Sequence, residues 1–157
     1  MNEIGKTGLL QQRRIEAKVF KAFLIELERQ FGTDTARSIA RSVVHNLALE
    51  SGREYRAMHP KGDIGALADL WRNFSESGAL DVEFMEQTEE CLKFRVKRCG
   101  YAEAYCELGL ADLGCLLSCD RDEPFLEGFS NGRITLERSR TILEGESVCE
   151  FVYRARK

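Results

Sequence analysis

The hydrophobic pattern of the chain changes from a helical to an alternating period halfway along, and no other feature constrains the fold as strongly. In the first half, apolar residues recur every three or four positions, as they do from Phe20 to Phe31, which is the spacing of one helix face. In residues 80–84 and 92–96 they alternate with charged residues, as in a strand with one buried face. The sequence therefore predicts an α+β fold, with a helical part in residues 1–78 and a sheet and cysteine-rich part in residues 79–157.

The first two predicted helices follow each other closely. One ends near Gly32, and the next is capped by Thr33 or Asp34 and stops before Gly52. The apolar stripe of this second helix consists of Ile39, Val43, Leu47 and the neighbouring Val44.

Residues 51–62 are predicted to form a polar connection to a third helix, which Asp63 can cap and Gly78 can end. His45 lies in the second helix without a carboxylate three or four residues on to orient its ring, and His59 lies in the connection. We expect packing or solvation for both histidines. The helical part is thus predicted to carry no chemistry of its own.

The second half of the chain is predicted to form four antiparallel strands in two hairpins, with a helical segment between them and the N-terminal helices on one face of the sheet. The first hairpin turns at residues 87–90, and the second joins residues 133–144 to residues 147–156. Both faces of the last strand are apolar around Phe151, which is typical of a central strand.

Arg138 interrupts the alternation of the third strand. It shares the parity of Ile134 and Leu136, so its side chain is predicted to point toward the face that the helices cover. A bulge or a strand edge would explain this position, and so would a site that binds a carboxylate, because a guanidinium group matches a carboxylate in two hydrogen bonds.

Composition narrows the function and the environment. A chain of 157 residues with 43% hydrophobic and 31% charged residues is predicted to form one globular domain. Its net charge of −3, with an acidic second half, argues against a nucleic-acid surface. We see neither a signal peptide nor a membrane span, and therefore expect a cytoplasmic protein whose six cysteines stay reduced or bind a metal. The sequence leaves an oligomer open.

Four of the six cysteines lie between Cys99 and Asp122, and this stretch is where we predict the chemistry. Cys99 follows the second strand, and Gly100 and Glu103 are predicted to cap a helix directly after it. The positive end of a helix lowers the pKa of a nearby thiol, so Cys99 is the better candidate nucleophile. Cys106 and Cys115 fall among apolar helix positions and are predicted to be packing residues.

Cys119 has the opposite surroundings, because it precedes Asp120 and Asp122 and Glu127 follows in the next turns. Negative charge disfavours a free thiolate. If Cys119 is functional, a metal, a cationic substrate or an adjacent base must offset this charge.

One straight helix would hold Cys99 and Cys119 roughly 30 Å apart, at 1.5 Å per residue. Gly109 suits the end of a helix, and a break there would bring the two cysteines back together. Cys149 is close to them only if the strand order allows it. Three thiols with one of the aspartates would make an acceptable metal site, which we keep as an alternative to a site without a metal.

The C-terminal two fifths of the chain, from about Phe94 to Tyr153, resembles a known family. Three segments carry the resemblance: FRVKRCGYAEAYCELG, the CDRD followed by FLEGF, and LERSRTILEGESVCEF. In this order they resemble the L-2-amino-thiazoline-4-carboxylic acid hydrolase family.

The resemblance implies a small hydrolase that opens the ring of a 2-aminothiazoline carboxylate on a route to cysteine. Either Cys99 attacks C2 of the ring, or Asp120 or Asp122 activates water as a general base, with Cys119 beside them. Arg138 would hold the carboxylate of the substrate, and Glu127 and Cys149 complete the predicted substrate-binding residues.

Two other functions remain open. The order of helices, cysteine-bearing sheet and final G-x-x-x-C-x-F is also similar to small-ligand-binding domains of the 4-vinyl reductase type, which do not catalyse a reaction. The third hypothesis is a helical interaction domain, which would need an exposed apolar patch.

Overall fold

The computed structural model describes residues 8–156. In chain order the helices and strands are α1 Leu9–Phe31, α2 Thr33–Met58, α3 Ile64–Glu76, β1 Leu80–Gln87, β2 Cys91–Cys99, α4 Gly100–Glu107, α5 Ala111–Leu117, α6 Asp122–Ser130, β3 Ile134–Arg140 and β4 Cys149–Ala155. Short 3₁₀ turns at Cys119–Arg121 and Ile142–Glu144 complete the described elements. The α+β prediction is confirmed.

The four strands form one antiparallel sheet in the order β1-β2-β4-β3. Both predicted hairpins are present, and β4 is a central strand that pairs with β2 on one side and β3 on the other. The register is irregular between Arg138 and Arg140, and β3 is an edge strand, so both structural explanations for the position of Arg138 are present. The third strand is shorter than predicted, because the chain leaves the sheet after Arg140 and forms a 3₁₀ turn before Gly145.

The helices cover one face of the sheet, and aromatic rings form the contact. The ring of Trp71 on α3 lies 4.5 Å from that of Phe94 and 4.8 Å from that of Phe151, measured between centroids. Phe94 and Phe151 stack at 5.0 Å across β2 and β4. On the opposite face Arg95 pairs with Glu150 at 2.9 Å. Apolar residues on the covered face and charged residues on the other face explain why the two types alternate along the strands.

Helix α2 is longer than predicted. It continues through Gly52 to Met58 and replaces much of the predicted polar connection. Gly52 allows a close contact with α6, since a Cβ atom there would lie 2.1 Å from the carbonyl oxygen of Phe125. Gly128 makes the reciprocal contact, with its Cβ position 2.2 Å from the Leu49 oxygen. Both glycines allow α2 and α6 to pack closely because they have no side chain, and neither of them ends α2.

The apolar stripe predicted for α2 lies on the outside. Helix α2 buries mainly small residues, among them Ala36, Ala40 and Ala48, together with Val44. Val43 and Leu47 remain exposed, as does Phe23 on α1. The sequence pattern identified the helices correctly, but in α2 it pointed to the exposed side.

Two predicted boundaries are confirmed. The side chain of Asp63 accepts a hydrogen bond from the backbone N–H of Ala66 at 3.0 Å and so caps α3. Gly109 has a φ angle of 65° and separates α4 from α5. Glycine adopts this left-handed conformation without a steric penalty, so the chain can reverse direction there.

Candidate active site

A cavity of about 280 Å³ lies between the helices and the covered face of the sheet. One wall is apolar, and its aromatic members are Trp71, Phe74, Phe125, Phe151 and Tyr153. The other end is polar and is formed by Arg13, Cys99, Cys119, Arg121, Asp122 and Cys149. The cavity thus offers a ring-binding wall next to charged groups.

Three separate segments supply the polar end. Cys99 is the last residue of β2, Cys119 begins the 3₁₀ turn after α5, and Cys149 is the first residue of β4. The break at Gly109 folds α5 back along α4, and the central position of β4 brings Cys149 next to β2. Four residues predicted for the site therefore line one cavity: Cys99, Cys119, Asp122 and Cys149.

Cys99 is itself the cap of α4. Its Sγ accepts a hydrogen bond from the N–H of Ala102 at 3.4 Å. Gly100 is the first helical residue and lies against the backbone of Ala79, so the prediction that Gly100 caps this helix is wrong. Glu103 pairs with Arg98 at 2.9 Å instead of completing a capping box.

The pKa predicted for Cys99 also has the wrong direction. Burial raises the pKa of this thiol, and the backbone hydrogen bonds at the helix end offset only part of the effect. Burial likewise raises the pKa of Cys119, with Cys115 and Asp122 adding to the shift. The Sγ of Cys149 accepts a hydrogen bond from the N–H of Ile142 at 3.2 Å, yet burial raises its pKa too. All three thiols are neutral at pH 7.

Asp122 forms an ion pair with Arg138. The distance between its Oδ2 and Nη1 of Arg138 is 2.5 Å, and the same nitrogen donates to the carbonyl oxygen of Cys119 at 2.7 Å. Burial raises the pKa of Asp122 to about 6, although the guanidinium group acts in the opposite direction. Asp122 is therefore ionised at neutral pH, and it can accept a proton because its pKa lies only slightly below neutral pH.

Arg121 is the functional candidate that sequence reasoning missed. It lines the cavity, and burial and the nearby Arg13 lower its pKa. Within residues 8–156 no carboxylate oxygen lies within 4.0 Å of its guanidinium nitrogens. The only signal in the sequence was its place between the two aspartates of CDRD.

Tyr101 supplies a further polar group. Its side chain lines the cavity, and its buried hydroxyl has no hydrogen-bond partner in the described part of the chain. Burial raises the pKa of Tyr101 to about 12, which keeps the hydroxyl a donor at neutral pH. An unpaired buried hydroxyl is costly unless a ligand or water satisfies it.

Three predicted site residues lie outside the cavity. Asp120 is exposed and lies 3.7 Å from Nε of Arg41, measured from Oδ2. Glu127 is exposed on α6. Arg138 does not line the cavity either, and its guanidinium group donates to Asp122 and to the carbonyl oxygen of Cys119.

The remaining cysteines differ from one another. Cys115 is half-buried, whereas Cys106 is exposed, so the predicted packing role of Cys106 is wrong. Cys91 is buried at the start of β2. In the described residues no three His, Cys, Asp or Glu side chains are arranged to hold a metal ion. In the same part of the chain, no helix combines the length and apolarity needed to cross a membrane.

An α+β domain with a ligand-sized cavity between helices and sheet, polar at one end, has the form of a small-molecule site. The chain belongs to the L-2-amino-thiazoline-4-carboxylic acid hydrolase family, whose model matches residues 12–153. The match extends the resemblance seen in the C-terminal segments to nearly the whole chain. No curated protein matches the chain.

Two solved structures are similar to this chain. One is the phenol-responsive sensory domain of the transcription activator PoxR with phenol, with a TM-score of 0.54 and 10% identity, covering 94% of this chain and 76% of that one. The other is a trafficking protein particle complex subunit 3 from Naegleria fowleri covalently bound to palmitic acid, with a TM-score of 0.46 and 11% identity, covering 93% and 96%. At such identities the likeness concerns the fold alone.

Proposed function

We propose that the chain is a hydrolase that opens the ring of a 2-aminothiazoline carboxylate, or of a closely related cyclic amidine, inside the cavity. One observation carries the proposal: a single cavity is lined by both Asp122 and Arg121. Such a substrate bears an amidinium group and a carboxylate, so each of its charges meets an opposite one. Membership of the family supports the same substrate class.

Asp122 is the proposed general base. It takes a proton from water as the water oxygen adds to C2 of the ring, and the tetrahedral intermediate then breaks the ring C–N bond. The proton passes from Asp122 to the departing ring nitrogen, which gives an S-carbamoyl product. A base with a pKa of about 6 is ionised at neutral pH and still accepts a proton readily.

The covalent route through Cys99 is less well supported. Only the thiolate is a good nucleophile, and burial raises the pKa of Cys99. We therefore assign Cys99 a positioning role as the cap of α4, and Cys119 and Cys149 a role in shaping the polar end. Arg138 is proposed to hold Asp122 in place. Arg121 is proposed to bind the substrate carboxylate, a role that the family resemblance had implied for Arg138.

Ring opening by the purified protein tests the proposal. We expect conversion of 2-aminothiazoline-4-carboxylate to the S-carbamoyl product, followed by mass spectrometry, and at least a tenth of that activity in Cys99→Ser. Parallel assays with a chelator and with added zinc show whether a metal contributes. Loss of all activity in Cys99→Ser, with the fold intact, would instead support covalent catalysis.

A second function is binding of a small aromatic molecule without turnover. The aromatic wall of the cavity favours it, and the fold of the phenol-responsive domain is similar. The chain contains one tryptophan, Trp71, which lies in that wall, so its fluorescence reports on occupancy. Saturable quenching by phenol, without any ring opening, would favour this function over hydrolysis.

A further inference from the structure

The outer surface formed by α1 and α2 is apolar and has no function in the site. Its six large side chains are each between 41% and 68% exposed: Ile15, Val19, Phe23, Ile39, Val43 and Leu47. On each helix the members are spaced four residues apart, so they form two parallel ridges. We call these six residues the α1–α2 face.

A groove runs between the two ridges. It encloses about 590 Å³ and is lined by five of the six residues, all but Ile39. Residues of both helices reach its floor, among them Phe20 and Val44. The groove thus offers room for side chains of a partner.

The size of the α1–α2 face suits a dimer. Its exposed apolar area is on the order of 600 Å², the upper end of what the largest patch on a monomer reaches. Homodimer interfaces are about 65% apolar, so such a patch corresponds to roughly 900 Å² buried per subunit. A stable interface needs about 800 Å² per partner.

Charge is also depleted on this surface, as it is at interface cores. Between Ser38 and Leu47 the exposed polar residues of α2 are uncharged apart from Arg41, which lies beside Asp120. On α1 the neighbouring Glu16 and Glu26 are already paired with Arg13 and Arg29. Of the charged residues that line the groove, Arg13 and Glu16 pair with each other, and Arg121 also lines the active-site cavity.

We propose that two copies of this chain associate through the α1–α2 face around a two-fold axis. A two-fold interface pairs a surface with itself, so it needs a patch that is self-complementary. Ridges of residues spaced four apart pack into the grooves between identical ridges. The α1–α2 face has one such ridge on each of its two helices. The result is a bundle of four helices, two from each copy.

The dimer would also close one side of the active-site cavity. The groove and the cavity share Arg13, Ser51 and Arg121 in their linings. A second copy on the face therefore covers the groove next to the cavity. The interface and the site are neighbours, although the interface does not depend on the proposed reaction.

Sedimentation velocity of the full chain, combined with one matched pair of variants, tests the proposal. Phe23→Asp changes the face, whereas Ile25→Asp changes a side chain of the same helix that is 55% exposed and does not line the groove. We expect wild type and Ile25→Asp at 10 μM to have twice the 17.9 kDa mass of one chain. Phe23→Asp should raise the dissociation constant at least about 100-fold.

Circular dichroism establishes that each variant keeps its helices, and Leu47→Ser is the second face variant if Phe23→Asp does not fold. Val43→Asp should weaken the dimer as Phe23→Asp does. Wild type that stays monomeric at 100 μM would overturn the proposal, as would equal dimerisation of Phe23→Asp and Ile25→Asp. A monomer that carries a bound amphiphile in native mass spectrometry would also overturn it.

Discussion

The two sides of the turn at residues 119–122 contrast in their chemistry although both carry an aspartate. Asp122 lies against the cavity, its side chain is 24% exposed, and it pairs with Arg138 at 2.5 Å. Asp120 faces solvent, its side chain is 42% exposed, and its distance to Arg41 is 3.7 Å. Burial rather than residue type separates a candidate base from a surface charge.

The comparison also explains why the pairings differ in importance. The side chains of Arg138 and Asp122 are only 19% and 24% exposed, so their ion pair loses part of its hydration and removing one partner leaves the other poorly compensated. An exposed pair exchanges its partner for water at little cost. The same substitution on the two sides of the turn should therefore have different consequences.

The largest expected effect is on stability. We expect Arg138→Ala to lower the free energy of unfolding by about 3 kcal/mol, because Asp122 then stays buried without its partner. Arg41→Ala should cost less than about 1 kcal/mol. Urea denaturation at pH 7.5 measures both, and equal losses would contradict the distinction between the two sides.

The pH dependence of stability should separate the two aspartates next. In the folded state the pKa of Asp122 is about 6, above the value near 4 of an unfolded chain. The folded state thus holds more protons between these values, and its stability falls as the pH rises through this window, by up to about 3 kcal/mol.

Asp122→Asn removes the titrating group. As the pH rises from 4 to 6, the free energy of unfolding of this variant should therefore fall less than that of wild type, and the difference is the contribution of Asp122. Asp120→Asn is the matched substitution on the solvent side of the turn. Urea midpoints across the range compare the three proteins. A wild-type dependence in Asp122→Asn would show that Asp122 has an ordinary pKa.

A smaller effect is expected from Arg121→Gln. Loss of one charged hydrogen bond to the substrate carboxylate should raise KM about tenfold, with a smaller change in kcat. Arg41→Gln, on the solvent side, is the matched control and should leave KM unchanged. Steady-state kinetics of ring opening measures both KM values. A normal KM in Arg121→Gln would show that another residue binds the substrate carboxylate.

Sequence reasoning reached the fold because local patterns specify it. The hydrophobic period, the cap of α3 at Asp63 and the helix break at Gly109 are each determined by a few neighbouring residues. The end of α2 was wrong because Gly52 meets α6, a contact between residues distant in sequence. The exposed stripe of α2 was wrong for a related reason, since small residues pack closer than large ones.

The site was predictable only in part. Cys99, Cys119, Cys149 and Asp122 were identified from their places in the chain and from the family resemblance, and all four line one cavity. The pKa of Cys99 had the wrong direction because burial outweighs the helix end, and burial depends on the whole fold. The sequence could not separate Asp120 from Asp122 either, since two residues of the same type within one turn differ only in the direction they face.

The central claim is that Asp122, rather than Asp120, is the base for ring opening. Its most direct test is kcat/KM for 2-aminothiazoline-4-carboxylate in Asp122→Asn and Asp120→Asn, measured at pH 7.5 beside wild type. We predict a loss of about 100-fold or more in Asp122→Asn and less than about threefold in Asp120→Asn. Equal activity in the two variants, with both folded, would contradict the claim.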